Sequence, residues 1–156
     1  MPANNVTRFL DSHSIQYTIY ELPKKKLGAD EVAQILDVPL ELVYKSIVVE
    51  RAKKGKAILA VIPGGREVNL KALAKATGEK KVKAATQAKA EALTKLQAGG
   101  ISPLALINKG FDIFLDASAK THEEIYISGG ERGMNIRLAV SDLLALIQAK
   151  VAEISH

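Results

Sequence analysis

Along this chain, segments with the two-residue alternation of a strand and segments with the spacing of a helix follow one another in mixed order. There is neither a strict strand–helix–strand alternation nor an internal repeat. That order constrains the fold more than any other feature, because a wholly parallel sheet needs a crossover helix between consecutive strands. The chain is therefore predicted to form a mixed, largely antiparallel sheet covered by helices.

The segments themselves are short. Val6, Phe9, Leu10 and His13 repeat at helical spacing behind two asparagines able to cap a first turn, and residues 15–22 alternate as a strand until Pro23. Val32, Ile35 and Leu36, behind Asp30 and Glu31, predict a second helix that Pro39 interrupts. The apolar runs 43–50 and 57–63 flank a polar loop containing Gly55 and predict an antiparallel pair. Leu70, Leu73, Ala74 and Thr77 predict a helix closed by Gly78, followed by a short strand over 81–85 and a helix over 87–96. Residues 111–116, 123–128 and 134–139 read as strands, the last two joined by a turn containing Gly129, Gly130 and Gly133. Ser141 and Asp142 then open a terminal helix with Leu144, Ile147, Val151 and Ile154 on one side.

At 156 residues, 47% apolar and 25% charged, the chain has the size and composition of one self-sufficient domain, residues 1–156. It has no cysteine, which excludes disulfides, thiolate metal sites and a cysteine nucleophile. Residues 1–5 lack a signal-peptide pattern and no apolar run approaches the roughly 18 residues of a membrane span, so the expected address is the cytoplasm with no membrane partner. A formal charge of +5 suits a polyanion such as nucleic acid, although solubility explains the same excess. His13, His122 and His156 are scattered without metal-ligand spacing, so neither a metal nor another cofactor is expected. Gly64-Gly65 lacks the Lys-Ser/Thr of a phosphate-binding loop, and Ser46, Ser102 and Ser128 lack a nucleophile elbow.

One charge sits where alternation predicts core. Lys45 shares a strand face with Val43, Ile47 and Val49, and a buried ammonium costs several kcal/mol unless it meets an anion or lines a cavity. A bulge turning it outward is the plain alternative. The run Gly99-Gly100-Ile101-Ser102-Pro103 permits close backbone approach and can present N–H groups to an oxyanion, or is simply a tight loop. Tyr126 and Ser128 share a strand face just before Gly129-Gly130 and are placed to border the same cavity.

Taken together, Val43-Tyr44-Lys45-Ser46-Ile47-Val48-Val49, Asn69 through Gly78, Gly99-Gly100-Ile101-Ser102-Pro103-Leu104, Ile125-Tyr126-Ile127-Ser128-Gly129-Gly130 and Arg132-Gly133 resemble the YbaK family in order and spacing. The resemblance spans nearly the whole chain. It implies a compact α+β fold with a mixed, barrel-like β-sheet covered by helices, shared with the editing insertion of bacterial prolyl-tRNA synthetases. It also implies hydrolysis of the ester joining a wrong amino acid to the tRNA 3′ end. On that likeness Lys45 and Gly100 carry the catalysis, and Tyr20, Ile101, Ser102, Ser128, Gly129 and Asn135 meet the substrate. Lys24, Lys25, Lys26, Lys53, Lys54 and Lys56 are the expected phosphate contacts, mischarged tRNA the partner, and prolyl-tRNA synthetase a candidate second one. The chain departs from close relatives at Lys95-Leu96, where Gly-Tyr is common, at Ala105, where glycine is common, and at Asn135, where aspartate is frequent.

An activated ester needs a held carbonyl, a nucleophile and donors for the tetrahedral oxygen. Without a cysteine or a convincing triad, the expected nucleophile is a positioned water or a group of the substrate itself, with Lys45 holding the terminal nucleotide or the carbonyl. Cysteinyl-tRNA for proline is the first expected substrate and alanyl-tRNA the second. A noncatalytic tRNA- or synthetase-binding module and a small-molecule ester or amide hydrolase are the competing readings.

Overall fold

The structure is a computed structural model describing residues 3–52 and 54–156. In chain order its elements are α1 (Asn5–Ser12), β1 (Tyr17–Glu21), α2 (Ala29–Leu36), β2 (Tyr44–Arg51), β3 (Ala57–Pro63), α3 (Leu70–Thr77), β4 (Val82–Ala84), α4 (Gln87–Thr94), β5 (Phe111–Asp116), β6 (Glu124–Ser128), β7 (Met134–Ala139), α5 (Val140–Ile147) and β8 (Lys150–Ala152). The α+β class follows, but the strands form two sheets, one of three strands ordered β1-β7-β6 and one of five ordered β4-β2-β3-β5-β8. Among the described residues the two meet in sheet pairing only at the isolated bridge Val43–Tyr126, so no closed barrel forms. The pairs β1–β7, β6–β7, β2–β3 and β2–β4 are antiparallel, while β3–β5 and β5–β8 are parallel.

The sheets face each other across one apolar core. Val48, Leu59, Val61, Ile113 and Leu115 of the larger sheet meet Ile125, Ile127, Ile136 and Leu138 of the smaller, with Leu10 of α1 and Leu143 of α5 at the margins. Alternation sends the other residues of these strands to the outer faces. There Val49, Ile58, Ala60, Ile62 and Phe114 are covered by Leu73 and Ala74 of α3, and Tyr126 of the smaller sheet is covered by Val32 and Ala33 of α2. Being covered on both faces, β3 is apolar along its length, and each fully buried aliphatic side chain contributes about 1.5–3 kcal/mol.

The structure corrects the C-terminus. The terminal helix stops at Ile147, Gln148 takes the left-handed conformation with φ 50°, and Lys150–Ala152 join the edge of β5 as β8. Val151 and Ile154, placed by periodicity on the helix, lie beyond it. The parallel edge of β5 offers Val151 a ladder, and the Ile154 N–H donates to Asp116 Oδ1 at 3.0 Å, bonds that a further turn of helix would forgo. Helix α4 also ends early, at Thr94, because Lys95 is left-handed with φ 60°. Among the described residues no helix is long and apolar enough to cross a membrane.

Candidate functional site

Along one edge β2 pairs with β3 from Tyr44 to Val49. Along the other, among the described residues, it pairs with β4 at Val49–Arg51, the Val48 carbonyl accepts from the Ala85 N–H at 2.9 Å, and Val43, just before the strand, bridges Tyr126. The stretch between is an open edge, and a cavity of about 210 Å³ sits against it. Its walls are Lys45 and Ser46 of β2, Ala29 and Val32 of α2, Gly99 and Ile101 of the loop after α4, and Ser128 and Asn135 of the smaller sheet.

Lys45 shares its face with Ile47 and Val49, as alternation requires, but lies near the strand's start, where the apolar cover gives way to the cavity. Its Nζ donates to the carbonyl of Gly64 at 3.1 Å, and among the described residues it is the only formally charged side chain lining the cavity. Gly64, set aside in the sequence as half of a pair without a phosphate-loop signature, has a structural reason to be glycine. A Cβ there would lie 2.4 Å from Ala29 Cβ and 2.9 Å from Leu40 Cδ1, so its absence lets α2 approach Lys45.

Opposite Lys45, Ser128 and Asn135 are register partners on β6 and β7 and share one face. Asn135 is 5% exposed and among the described residues its Oδ1 has no hydrogen-bond partner, leaving an unspent acceptor at the cavity wall. Ser128 Oγ accepts from the N–H of Gly130 at 3.2 Å. Tyr20 faces Asn135 across the β1–β7 pair but does not line the cavity; its ring lies 5.6 Å from that of Tyr126. Burial pushes the Tyr20 hydroxyl above its ordinary value, Tyr126 adds to this, and Arg137, 5.9 Å over the ring, opposes it.

The loop after α4 divides the predicted residues. Ile101 and the left-handed Gly99, φ +90°, line the cavity. Gly100 is buried just behind, where a Cβ would come within 2.8 Å of Glu131 Cα and 3.0 Å of Arg132 N, so backbone packing already demands glycine. Ser102 is fully buried and its hydroxyl accepts from the Leu104 N–H at 3.2 Å, capping the next turn rather than facing the cavity. Gly129 lies in the β6–β7 turn, its N–H donating to Met134 O at 2.9 Å. Of the three departures from close relatives, Asn135 alone lines the cavity; Leu96 and Ala105 pack at the margin of the main core.

The two basic tracts stand differently to the cavity. Lys24, Lys25 and Lys26 are exposed immediately before the cavity residue Leu27, and Lys26 Nζ donates to Gln87 Oε1 at 2.6 Å. Lys54 and Lys56 sit past the far end of β2, about 20 Å from Lys45 by strand rise, and Lys53 lies outside the described residues. Lys56 instead borders a second depression, of about 430 Å³, with His13, Asn108 and Gln148. That depression is larger, but apart from Lys56 it includes none of the residues singled out from the sequence, and the smaller cavity is the better candidate. Among the described residues no group of three or more His, Asp or Glu is placed to hold a metal.

Residues 24–146 match the family model described as the aminoacyl-tRNA editing domain. A relative from Enterococcus faecalis, provisionally named Cys-tRNA(Pro)/Cys-tRNA(Cys) deacylase EbsC, is 37% identical over 153 residues, 97% of this chain and 92% of its own. Among solved structures, hypothetical protein APE2540 superposes with a TM-score of 0.90 at 22% identity, covering 98% of this chain and 100% of the other. A protein provisionally described as a trans-editing enzyme for prolyl tRNA synthetase gives 0.79 at 24%, covering 99% of each. At those identities the two structures speak for the fold.

Proposed function

Because this chain belongs to the aminoacyl-tRNA editing domain family, we propose that it hydrolyses the ester between a wrongly attached amino acid and the 3′ end of tRNA. The observation that carries the reading is the cavity itself, which gathers Lys45, Gly99, Ile101, Ser128 and Asn135 from four separate parts of the chain into about 210 Å³. That space suits an aminoacyl group better than a nucleoside. We take residues 1–156 as one editing unit working in the cytoplasm, where tRNA is charged, with prolyl-tRNA synthetase as the candidate protein partner.

In the step proposed, an oxygen or sulfur nucleophile adds to the ester carbonyl and the tetrahedral oxygen takes the negative charge. The bond to the ribose oxygen then breaks and that oxygen takes up a proton. Among the described residues neither a carboxylate nor an imidazole lines the cavity, so no side-chain base stands ready to take a proton. A bound water, or the substrate's own thiol closing to a thiolactone that water then opens, fits this wall better than a triad does, the nucleophile's proton passing to the departing ribose oxygen. Lys45 serves as a fixed positive charge for the carbonyl or the terminal phosphate, with the backbone at the cavity-lining Gly99 and Ile101 as the place for further donors, since the Gly100 N–H already donates to the Gln97 carbonyl at 2.8 Å. Ser128 and Asn135 present a hydroxyl and an open amide oxygen to the aminoacyl group, with Tyr20 behind them.

Cysteine, then alanine, on tRNA for proline is the proposed substrate order. The name of the Enterococcus relative supports cysteine, and the small cavity supports both. One methylene in an apolar pocket is worth only about 1–3 kcal/mol, so activity on the two should overlap. Deacylation rates on cysteinyl-, alanyl-, seryl- and prolyl-tRNA under one set of conditions test this. Fastest hydrolysis of the cognate prolyl ester, or of a bulky one, would overturn the order.

A further inference from the structure

We infer that Asn4, at the very start of the described chain, is a positioning residue for the cavity wall; this rests on the deacylase reading of that cavity. Asn4 caps α1: its Oδ1 accepts from the Thr7 N–H at 2.9 Å, and its own N–H donates to Thr7 Oγ1 at 2.9 Å. A cap needs only the oxygen, and serine, threonine or aspartate supplies it as well as asparagine does. The amide nitrogen is surplus to that task. Here it reaches more than a hundred residues along the chain, donating to the carbonyl of Gly129 at 3.0 Å and to Glu131 Oε1 at 2.9 Å, and touching Met134 Sδ at 3.5 Å.

Those partners frame the cavity. Gly129 follows Ser128 and Met134 precedes Asn135, so the amide holds the turn one residue beyond each of the two polar wall residues. The same turn supports the loop on the other side. Gly100 packs on the backbone of Glu131 and Arg132 with no room for a Cβ, and Arg132 Nε donates to the carbonyl of Ala98 at 2.7 Å. Val6, two residues past the cap, closes the contact from α1, standing 2.9 Å from where a Gly130 Cβ would be. The first turn of α1, the β6–β7 turn and the Ala98–Ile101 loop thus form one chain of contacts. Asn4 joins its first two members by a side chain whose acceptor and donor are separate atoms; serine carries both functions on one short hydroxyl, and ionised aspartate has no donor.

Asn4→Ser separates the two tasks, because the hydroxyl retains the cap and loses the reach. The expected result is a melting temperature within about 3 °C of the parent. Amide exchange should rise at least about fivefold in residues 128–134 and 97–101, and kcat/KM for deacylation should fall about fivefold, mainly in kcat because the ester is held less well. Asn4→Asp keeps the cap but turns a carboxylate toward the Gly129 carbonyl and Glu131, and is expected to lose more. Unchanged exchange in both segments of Asn4→Ser overturns the inference, as does an activity loss that merely follows the unfolded fraction. If the wild-type protein deacylates no aminoacyl-tRNA, the function proposed above fails instead, and the exchange comparison still decides whether Asn4 holds the wall.

Discussion

Replacing Lys45 by alanine removes the only formally charged side chain lining the cavity among the described residues, and the structure separates what this does to stability from what it does to turnover. On the stability side the loss is one hydrogen bond, Nζ to the Gly64 carbonyl, together with part of a stem that is only half buried. No ion pair within 4 Å involves Lys45 among the described residues, so no carboxylate is orphaned by its removal. A hydrogen bond from a charged group is worth about 1.5–3 kcal/mol, but it is gained back in part where water can enter the emptied cavity. A stability loss of about 1–2 kcal/mol is expected, and the protein stays folded at room temperature. On the kinetic side, a preorganised donor to a developing oxyanion is worth about 2.7–4 kcal/mol. Deacylation should therefore fall by about a hundredfold to nearly a thousandfold, mostly in kcat, if Lys45 meets the carbonyl, and by at least about tenfold, mostly in KM, if it meets the terminal phosphate. Lys45→Met, which keeps the stem and drops the charge, should behave like the alanine variant. The assay is single-turnover deacylation beside a thermal melt of the same preparation. Turnover within about twofold of the parent for either variant would remove Lys45 from the mechanism.

Gly100→Val should fail in folding as well as in turnover, because its Cβ would press on the backbone of Glu131 and Arg132; a melting temperature unchanged from the parent would contradict that packing. Affinity for tRNA should fall as salt rises, and changing Lys24, Lys25 and Lys26 to glutamine should flatten the salt slope by up to about 2.7, at roughly 0.9 per phosphate contact. Changing Lys54 and Lys56 should matter less, since they lie at the far end of β2; equal effects of the two sets would refute this division of the basic tracts. Asp116 is 3% exposed, and burial alone would raise its carboxyl. Hydrogen bonds from Ser118 Oγ at 2.5 Å and the Ile154 N–H at 3.0 Å outweigh this and hold it below its ordinary value. A lowered carboxyl stabilises the fold above the unfolded value near pH 4 and loses that contribution as pH falls through the folded one. The melting-temperature gap between wild type and Asp116→Asn should be constant from about pH 5 to 8 and shrink below about pH 4. A gap that persists to strongly acid pH would count against the linkage.

Most elements were legible because their signals are local. The asparagine that caps α1, the apolar runs of β2 and β3 and the glycine after α3 act within a few residues and need no distant partner. The same locality explains the error at the C-terminus. Leu144, Ile147, Val151 and Ile154 satisfy a helical period, but whether Val151 continues the helix or joins β5 depends on an edge that is built from residues far earlier in the chain. Lys45 was visible as a charge on an apolar strand face, which is a property of β2 alone. Gly64 meets Lys45 through the pairing of β2 with β3, whereas nothing local marks Leu27 or Val32 as wall residues, because they reach the cavity only when α2 and the chain before it dock over the strand's start.

By itself, then, the sequence determined the kinds of element, the mixed order that makes an α+β fold, and the inward lysine, since all of these follow from spacing along the chain. Tertiary structure alone decided that the strands divide into two facing sheets, that β2 keeps an open edge, and that Ser128 and Asn135 stand across a cavity from Lys45. It also decided that Gly100 and Ser102 serve the loop's packing while Gly99 and Ile101 form the wall. The physical reason is that a cavity is the space left where several distant surfaces fail to meet, and no periodicity within one segment encodes the shape of another.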